Sequence, residues 1–278
     1  MNTTEYLSKW AISYKDDIIN NIMPFWMKYG LDREHGGVYT CVNRDGSLID
    51  TTKSVWFQGR FGFIAAYAYN NIEKNPQWLA ASKSCIDFIE AHCFDTDGHM
   101  FFEVTEDGKP LRKRRYVFSE GFAAIAMAEY ALATGEKEYA KKALDIFKRT
   151  LHFLNTPGFL EPKYLPTLPS RGHSITMILI NTASRIRMVI DDPSLTEQID
   201  TSIAALRKYF IHPEFKALLE MVGPDGEFID TCNGRVINPG HCIETAWFIM
   251  EEAKYRNWDK DLLQLALQIL DWSWEWGW

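Results

Sequence analysis

The chain has 278 residues, 46% hydrophobic and 24% charged; this suits a folded globular protein with a full core and excludes a disordered or collagen-like one. Its 30 basic and 37 acidic side chains leave a net charge of −7, and the one dense basic run, Arg112-Lys113-Arg114-Arg115, is short enough to be a solvated turn, which excludes nucleic-acid binding as the main activity. Aromatic residues reach 14%, and rings line pockets as well as cores.

Helical periodicity dominates the chain from its start. Residues 3–28 carry Tyr6, Leu7, Trp10, Ala11, Ile18, Ile19, Ile22 and Met23 close to the 3.6-residue period. Residues 56–73 and 77–93 are the next predicted helices. Ser119 reads as the N-cap of a helix over 120–134 that Gly135 ends. Further helices are predicted over 137–154, 172–190, 194–210, 240–256 and 260–275, with Pro193 in a first-turn position after Asp192. That makes about nine.

The connections alternate in kind. Glu73-Lys74-Asn75-Pro76 and Thr134-Gly135-Glu136 are tight. Others are long and carry hairpin signals, an Asp-Gly pair beside apolar residues: Asn43-Arg44-Asp45-Gly46, Glu106-Asp107-Gly108, and Leu219-Glu220-Met221-Val222 leading into Pro224-Asp225-Gly226. A unit of helix, hairpin-bearing loop, helix and tight turn therefore recurs as a degenerate repeat. It predicts a toroid of antiparallel helix pairs around a central cavity, in one domain over 1–278, with an α-solenoid as the generic alternative.

Five cysteines, Cys41, Cys85, Cys93, Cys232 and Cys242, form no CxxC and no zinc spacing, and read as free thiols in a reducing compartment. The first residues contain an early acid and no apolar core, unlike a signal peptide. No apolar run approaches the about 20 residues of a membrane span. The expectation is a soluble, cytoplasmic protein.

Four segments place polar chemistry where a long loop enters a helix. In Asn238-Pro239-Gly240-His241-Cys242-Ile243-Glu244, Glu244 shares a helix face with His241, so a ring able to titrate near neutral pH stands beside a carboxylate. The plain structural reading is a capping histidine beside a first-turn acid. Trp56, Gln58 and Arg60 offer a ring plate with amide and guanidinium donors, suited to a sugar, or simply a buried Trp and a surface Arg. Glu120 follows Ser119, and Arg171 precedes His173, in the other two segments. Convergence of such ends on one cavity argues for a site more strongly than any one segment does. No GxxxxGK[ST], HExxH or GxSxG occurs. His241-x-x-Glu244 lacks a second pair to complete a metal site, so no metal and no cofactor are expected. His35, His92, His99, His152 and His212 read as structural.

Taken together, Leu31-Asp32-Arg33-Glu34-His35-Gly36-Gly37 with Asn43-Arg44-Asp45-Gly46, Val55-Trp56-Phe57-Gln58-Gly59-Arg60, Phe118-Ser119-Glu120, and Asn238-Pro239-Gly240-His241 with Glu244 and Trp247 resemble the N-acyl-D-glucosamine 2-epimerase family. The resemblance implies an all-α (α/α)6 barrel of twelve helices, incomplete here at about nine, with short β-hairpins in the long loops. It implies interconversion of N-acetyl-D-glucosamine and N-acetyl-D-mannosamine by removal of the C2 proton and return through an enediolate. By resemblance His241 is one catalytic histidine, Arg60 the arginine at the sugar oxygens, and Glu244 the acid beside the histidine. Trp56, Gln58, Glu120, Arg171, His173, Asn238 and Trp247 fall to substrate binding.

The family's second, late histidine has no counterpart, and the chain stops at Asp271-Trp272-Ser273-Trp274-Glu275-Trp276-Gly277-Trp278. The expectation is a fragment or truncated product lacking about three helices, with its activity open. The resemblance further implies a small-molecule sugar as partner, ATP as an allosteric effector, and a homodimer. The alternatives within the superfamily are a cellobiose 2-epimerase and an aldose–ketose isomerase, towards which His173 points. A glycoside hydrolase using Glu120 and Asp230 is a further alternative, as is a non-catalytic sugar-binding remnant.

Overall fold

The structure, a computed structural model, describes residues 2–114, 116–161 and 164–278. The chain divides into two compact units, Met1–Asn155 and Thr156–Trp278.

The first unit opens with α1 (Thr3–Asp17), a π-helical turn (Ile18–Ile22) and α2 (Met23–Tyr29). Strands β1 (Cys41–Val42), β2 (Leu48–Asp50) and β3 (Lys53–Ser54) lead into α3 (Val55–Asn71), and α4 (Pro76–His92) follows. Strands β4 (Phe101–Val104) and β5 (Pro110–Lys113) then lead into α5 (Phe118–Thr134) and α6 (Lys137–Asn155). In the second unit β6 (Arg171–Gly172) opens α7 (His173–Arg187), and α8 (Pro193–Ala205) runs through a π-turn (Leu206–Phe210) into β7 (Ile211–His212), β8 (Ala217–Leu218) and β9 (Met221–Val222). Helices α9 (Pro239–Tyr255) and α10 (Lys260–Gly277) complete it. With α1 to α2 taken as one run, the described residues hold the nine helical segments that the periodicity predicts.

Local chemistry sets the boundaries. Asn75, Asp192, Asn238 and Asp259 each accept a backbone N–H of the helix they cap, and Pro occupies the first turn of α4, α8 and α9. Gly135 ends α5 at φ +76°, the left-handed conformation that glycine adopts without a Cβ penalty. Ser119 is not the cap the sequence suggests. The first turn of α5 starts two residues earlier than expected, at Phe118, and the Ser119 hydroxyl donates instead to the Phe101 carbonyl at 3.0 Å.

Helices α3, α5, α7 and α9 all begin at a strand-bearing loop and end in a short turn. In the first unit α3 packs on α4 and α5, and α5 on α6. Helix α5 is buried continuously from Ser119 to Ala131. Small residues permit that approach: a Cβ on Gly59 would lie 2.6 Å from the Phe122 carbonyl carbon. Helix α1 has no buried residue, and its apolar Leu7 and Ile12 stand 62% and 71% exposed. Its periodicity forms a helix that nothing in the unit covers. In the second unit α7 packs on α8 and α9, and α9 on α10, around Ile180, Ile186, Ile199, Ile249 and Ile269. Trp274 and Trp278 stack at 5.0 Å on α10, and Trp278 is 91% exposed.

Two of the three predicted hairpins form: β1 with β2, and β4 with β5, whose sheet β3 extends. The third differs. Its turn closes through Gly226 N–H to Gly223 O at 3.1 Å, but Met221 and Val222 pair with Gly172 and Arg171, not with the residues after the turn. A hairpin that the sequence does not signal, β7 with β8, precedes it.

One buried ion pair ties the loops of the first unit. Lys53 is fully buried, and its ammonium donates to Asp32 Oδ2 at 2.6 Å and to the carbonyls of Gly36 and Glu106, each at 2.8 Å. Asp32 Oδ1 accepts the N–H groups of Glu34 and His35. All three ammonium protons are therefore used, the condition under which a buried charge is tolerated. Among the described residues no helix is long and apolar enough to cross a membrane.

Candidate active site

The titratable cluster of the second unit is built by strand pairing. The β6–β9 register sets Gly172 opposite Met221, so His173, the first residue of α7, lies beside Glu220; its N–H donates to the Glu220 carbonyl at 3.0 Å. The Asn238 side chain caps α9 by accepting the His241 N–H at 3.3 Å, and so brings His241 in from the other side. The His241 Nδ1–H donates to Glu220 Oε2 at 2.9 Å. A carboxylate can only accept, so this contact puts the proton on Nδ1 and the basic lone pair on Nε2. His173 Nδ1 lies 3.6 Å from the same oxygen, beyond hydrogen-bond range. The two rings are 6.3 Å apart. The His241 side chain is 36% exposed, Glu220 22% and His173 not at all.

The electrostatics follow from that placement. Burial pushes the Glu220 carboxyl up, but the two imidazoles outweigh it and hold the group down at about 2. Burial lowers His173; Glu220 works against this and His241 with it, leaving the group below the ordinary imidazole value. Glu220 is therefore a fixed anion, with a neutral buried ring on one side and a half-exposed ring on the other.

The other expected residues of this unit sit differently. Glu244 is exposed on α9 and has no hydrogen-bond partner among the described residues; the carboxylate that touches His241 is Glu220, from a loop. Trp247 is 45% exposed and packs at 5.1 Å on Phe248. Arg171 donates to the Pro224 carbonyl and lies 4.4 Å over the Tyr209 ring. Thr245, which the sequence reading passes over, accepts from His173 Nε2 at 2.9 Å. The signal for Glu220 was a charged residue inside the apolar stretch Leu219–Val222; Thr245 gave none.

In the first unit Trp56 packs edge-on against Phe102, Phe118 and Phe122 at 5.1, 5.3 and 5.9 Å. Gln58 is fully buried and clamps Val38, accepting its N–H at 2.9 Å and donating to its carbonyl at 2.6 Å. Arg60 is exposed, with its guanidinium 4.4 Å over Phe122. Glu120 is fully buried; its Oε1 accepts from His99 Nδ1 at 2.6 Å and from the Met100 N–H at 2.7 Å. A hydrolase pair of Glu120 and Asp230 finds no support in this geometry, because Asp230 is an exposed partner of Arg235.

His99 also faces the Arg114 carbonyl through Nε2 at 2.8 Å, so both ring nitrogens meet acceptors. Burial works to lower its pKa, but the Glu120 hydrogen bond and charge outweigh that and raise it above 6.5. A group raised by folding stabilises most below its unfolded value and loses that contribution as pH climbs through the folded one. The urea midpoint is therefore expected to fall between about pH 6 and about pH 9, and to fall less in His99→Gln. An equal fall in both proteins would contradict the assignment.

Residues 37–278 match the family model of N-acylglucosamine 2-epimerase (GlcNAc 2-epimerase). The N-acylglucosamine 2-epimerase of Rattus norvegicus is 30% identical over 244 residues, covering 84% of this chain and 58% of that protein. The human protein of the same name is 29% identical over 240 residues, covering 84% of this chain and 56% of its own length. The chain thus spans under two thirds of these curated relatives. Among solved structures, the cellobiose 2-epimerase of Bacillus thermoamylovorans B4167 superposes with a TM-score of 0.82 at 21% identity, over 94% of this chain and 71% of that one. A D-mannose isomerase gives 0.75 at 18% identity, over 95% and 70%. The fold is that of the (α/α)6 barrels. With its helix pairs, its hairpin-bearing loops and a family match that takes in every strand and the helices from α3 to α10, the chain belongs to the N-acylglucosamine 2-epimerase family.

Proposed function

We propose that the chain carries the proton-transfer chemistry of a sugar epimerase that interconverts N-acetyl-D-glucosamine and N-acetyl-D-mannosamine. The observation that carries this reading is the 2.9 Å bond from His241 Nδ1 to Glu220, together with the family match. In an open-chain sugar the C1 carbonyl acidifies the C2–H bond. His241 Nε2 takes that proton, the C2–H pair moves into the enediolate, and the charge that develops on the ring is met by the Glu220 anion. A positioned base of this kind contributes about 10²–10⁴ in rate. Return of the proton to the same face gives exchange, and return from the opposite face gives the epimer, which needs a second acid. His173 is fully buried, so it takes no part in the proton transfer.

By resemblance alone, Arg60 takes the oxyanion, Glu244 assists ring opening, and Trp56, Gln58, Glu120, Arg171, Asn238 and Trp247 support binding. An ATP response and a homodimer rest on the same resemblance, with no residue assigned to either. A cytoplasmic location is supported by five unpaired cysteines, three of them buried.

The test is a panel of N-acetylmannosamine, mannose and cellobiose incubated with the protein in heavy water, with exchange at C2 read by NMR and any new sugar by chromatography. The reading expects exchange at C2 of the acylated amino sugar first, lost in His241→Ala. Fructose from mannose, or cellobiose as the preferred substrate, would replace it with an isomerase or a cellobiose epimerase.

A further inference from the structure

His173, Glu220 and His241 offer three ligand atoms within 4.8 Å of one another. Hydrogen bonding alone leaves this cluster unsatisfied. The Thr245 hydroxyl gives its one proton to the His241 carbonyl at 2.8 Å, since a carbonyl only accepts. It must therefore receive the Nε2–H of His173 across the 2.9 Å contact. That leaves Nδ1 as the ring's remaining nitrogen. That atom is buried and has no hydrogen-bond partner among the described residues. It lies 3.6 Å from Glu220 Oε2, a separation too long for a hydrogen bond and close to that of two ligands on one cation.

We propose that His173 Nδ1, Glu220 Oε2 and His241 Nδ1 together bind one divalent cation of the zinc class. Bonds of about 2.0–2.2 Å in tetrahedral geometry set ligand atoms about 3.4 Å apart. The separations from Glu220 Oε2 to the two ring nitrogens, 2.9 and 3.6 Å, bracket that value. Two imidazoles and a carboxylate are a borderline-soft set that selects zinc-like ions over magnesium or calcium. Thr245 supplies the acceptor that a ligating histidine needs for its other N–H. In a site with three protein ligands the fourth position falls to water. His241 and Glu244, three positions apart, are not the ligand set; the carboxylate ligand comes from a separate loop.

Binding moves the His241 proton from Nδ1 to Nε2, so the ring gives its Nδ1 lone pair to the ion and keeps its one N–H on the other nitrogen. The ion would then block the base, so it acts as an inhibitor; this consequence rests on the function proposed above, whereas the binding itself does not.

The test is titration of the chelator-treated protein with Co²⁺, read by the visible absorption of the four-coordinate ion, followed by competition with Zn²⁺. A Cys41→Ser/Cys232→Ser background removes the two exposed thiols. One ion per chain is expected, with affinity at least about 100-fold weaker in Glu220→Gln and His173→Gln and about 10-fold weaker in Thr245→Val. Because His173 is buried, X-ray absorption of the zinc-loaded wild-type chain gives a second readout: two imidazole shells and one oxygen ligand support the site. Absence of binding, a sulfur shell, or affinity unchanged in both Glu220→Gln and Thr245→Val would overturn it. Binding without any effect on C2 chemistry would leave the site standing and remove only its role as inhibitor.

Discussion

Glu220→Gln is expected to slow C2 proton transfer by about 10²-fold or more while changing KM little. The amide matches the carboxylate in shape, so packing between His173 and His241 is preserved. What is lost is charge and direction. A carboxylate only accepts, and so holds the His241 proton on Nδ1; an amide rotates to offer either its oxygen or its NH2. With NH2 towards the ring, the lone pair shifts to Nδ1 and Nε2 becomes a donor, the wrong tautomer for a base. The imidazolium formed on proton transfer also loses its counter-ion 2.9 Å away. Single-turnover exchange rates read this directly. Glu220→Asp restores charge at a shorter reach and is expected to recover part of the rate. A Gln variant within about twofold of wild type would show that Glu220 does not orient the base.

Lys53→Met is expected to produce the largest loss of stability, about 3–5 kcal/mol. The ammonium sits in a fully buried position, bonded to Asp32 and to the Gly36 and Glu106 carbonyls. Removing it leaves the Asp32 charge buried without its cation and two carbonyls without a donor, and frees the 32–36 loop from the β4–β5 turn. Asp32 holds its remaining bonds to the Glu34 and His35 N–H groups, so the loop keeps its local turn and the loss falls on the long-range tie. The shift in urea midpoint at constant slope measures it. A change under about 1 kcal/mol would place Lys53 among ordinary surface pairs.

The helices and their caps are legible in the sequence because their signals are local. Asn-Pro before His241, Asp-Pro before α8 and Gly135 after α5 each act within one turn of chain. The site is less legible because its geometry depends on pairing between distant segments. Spacing alone selects Glu244 as the carboxylate next to His241, since three residues on a helix share a face. The carboxylate in contact is Glu220, and it arrives only because Arg171 and Gly172 pair with Val222 and Met221. The same reasoning sees no second pair to complete a metal set, because His173 enters from α7. Gln58 and Glu120 read as polar groups at helix entrances. In the fold both are buried and hold backbone, Gln58 at Val38 and Glu120 at Met100. Helix-entrance polarity at Gln58 and Glu120 therefore reports loop anchoring, and the half-exposed His241 is distinguished by exposure, which no sequence pattern shows.

Loss of the C2 proton signal of N-acetylmannosamine in heavy water, followed by NMR with wild type and His241→Ala in parallel, tests the central claim most directly. Exchange needs only one base, so it reports His241 without requiring inversion. The account predicts deuterium at C2 with the wild-type chain, and a rate lower by at least about 10²-fold in the variant. No exchange by the wild type, or equal exchange by both, would contradict it.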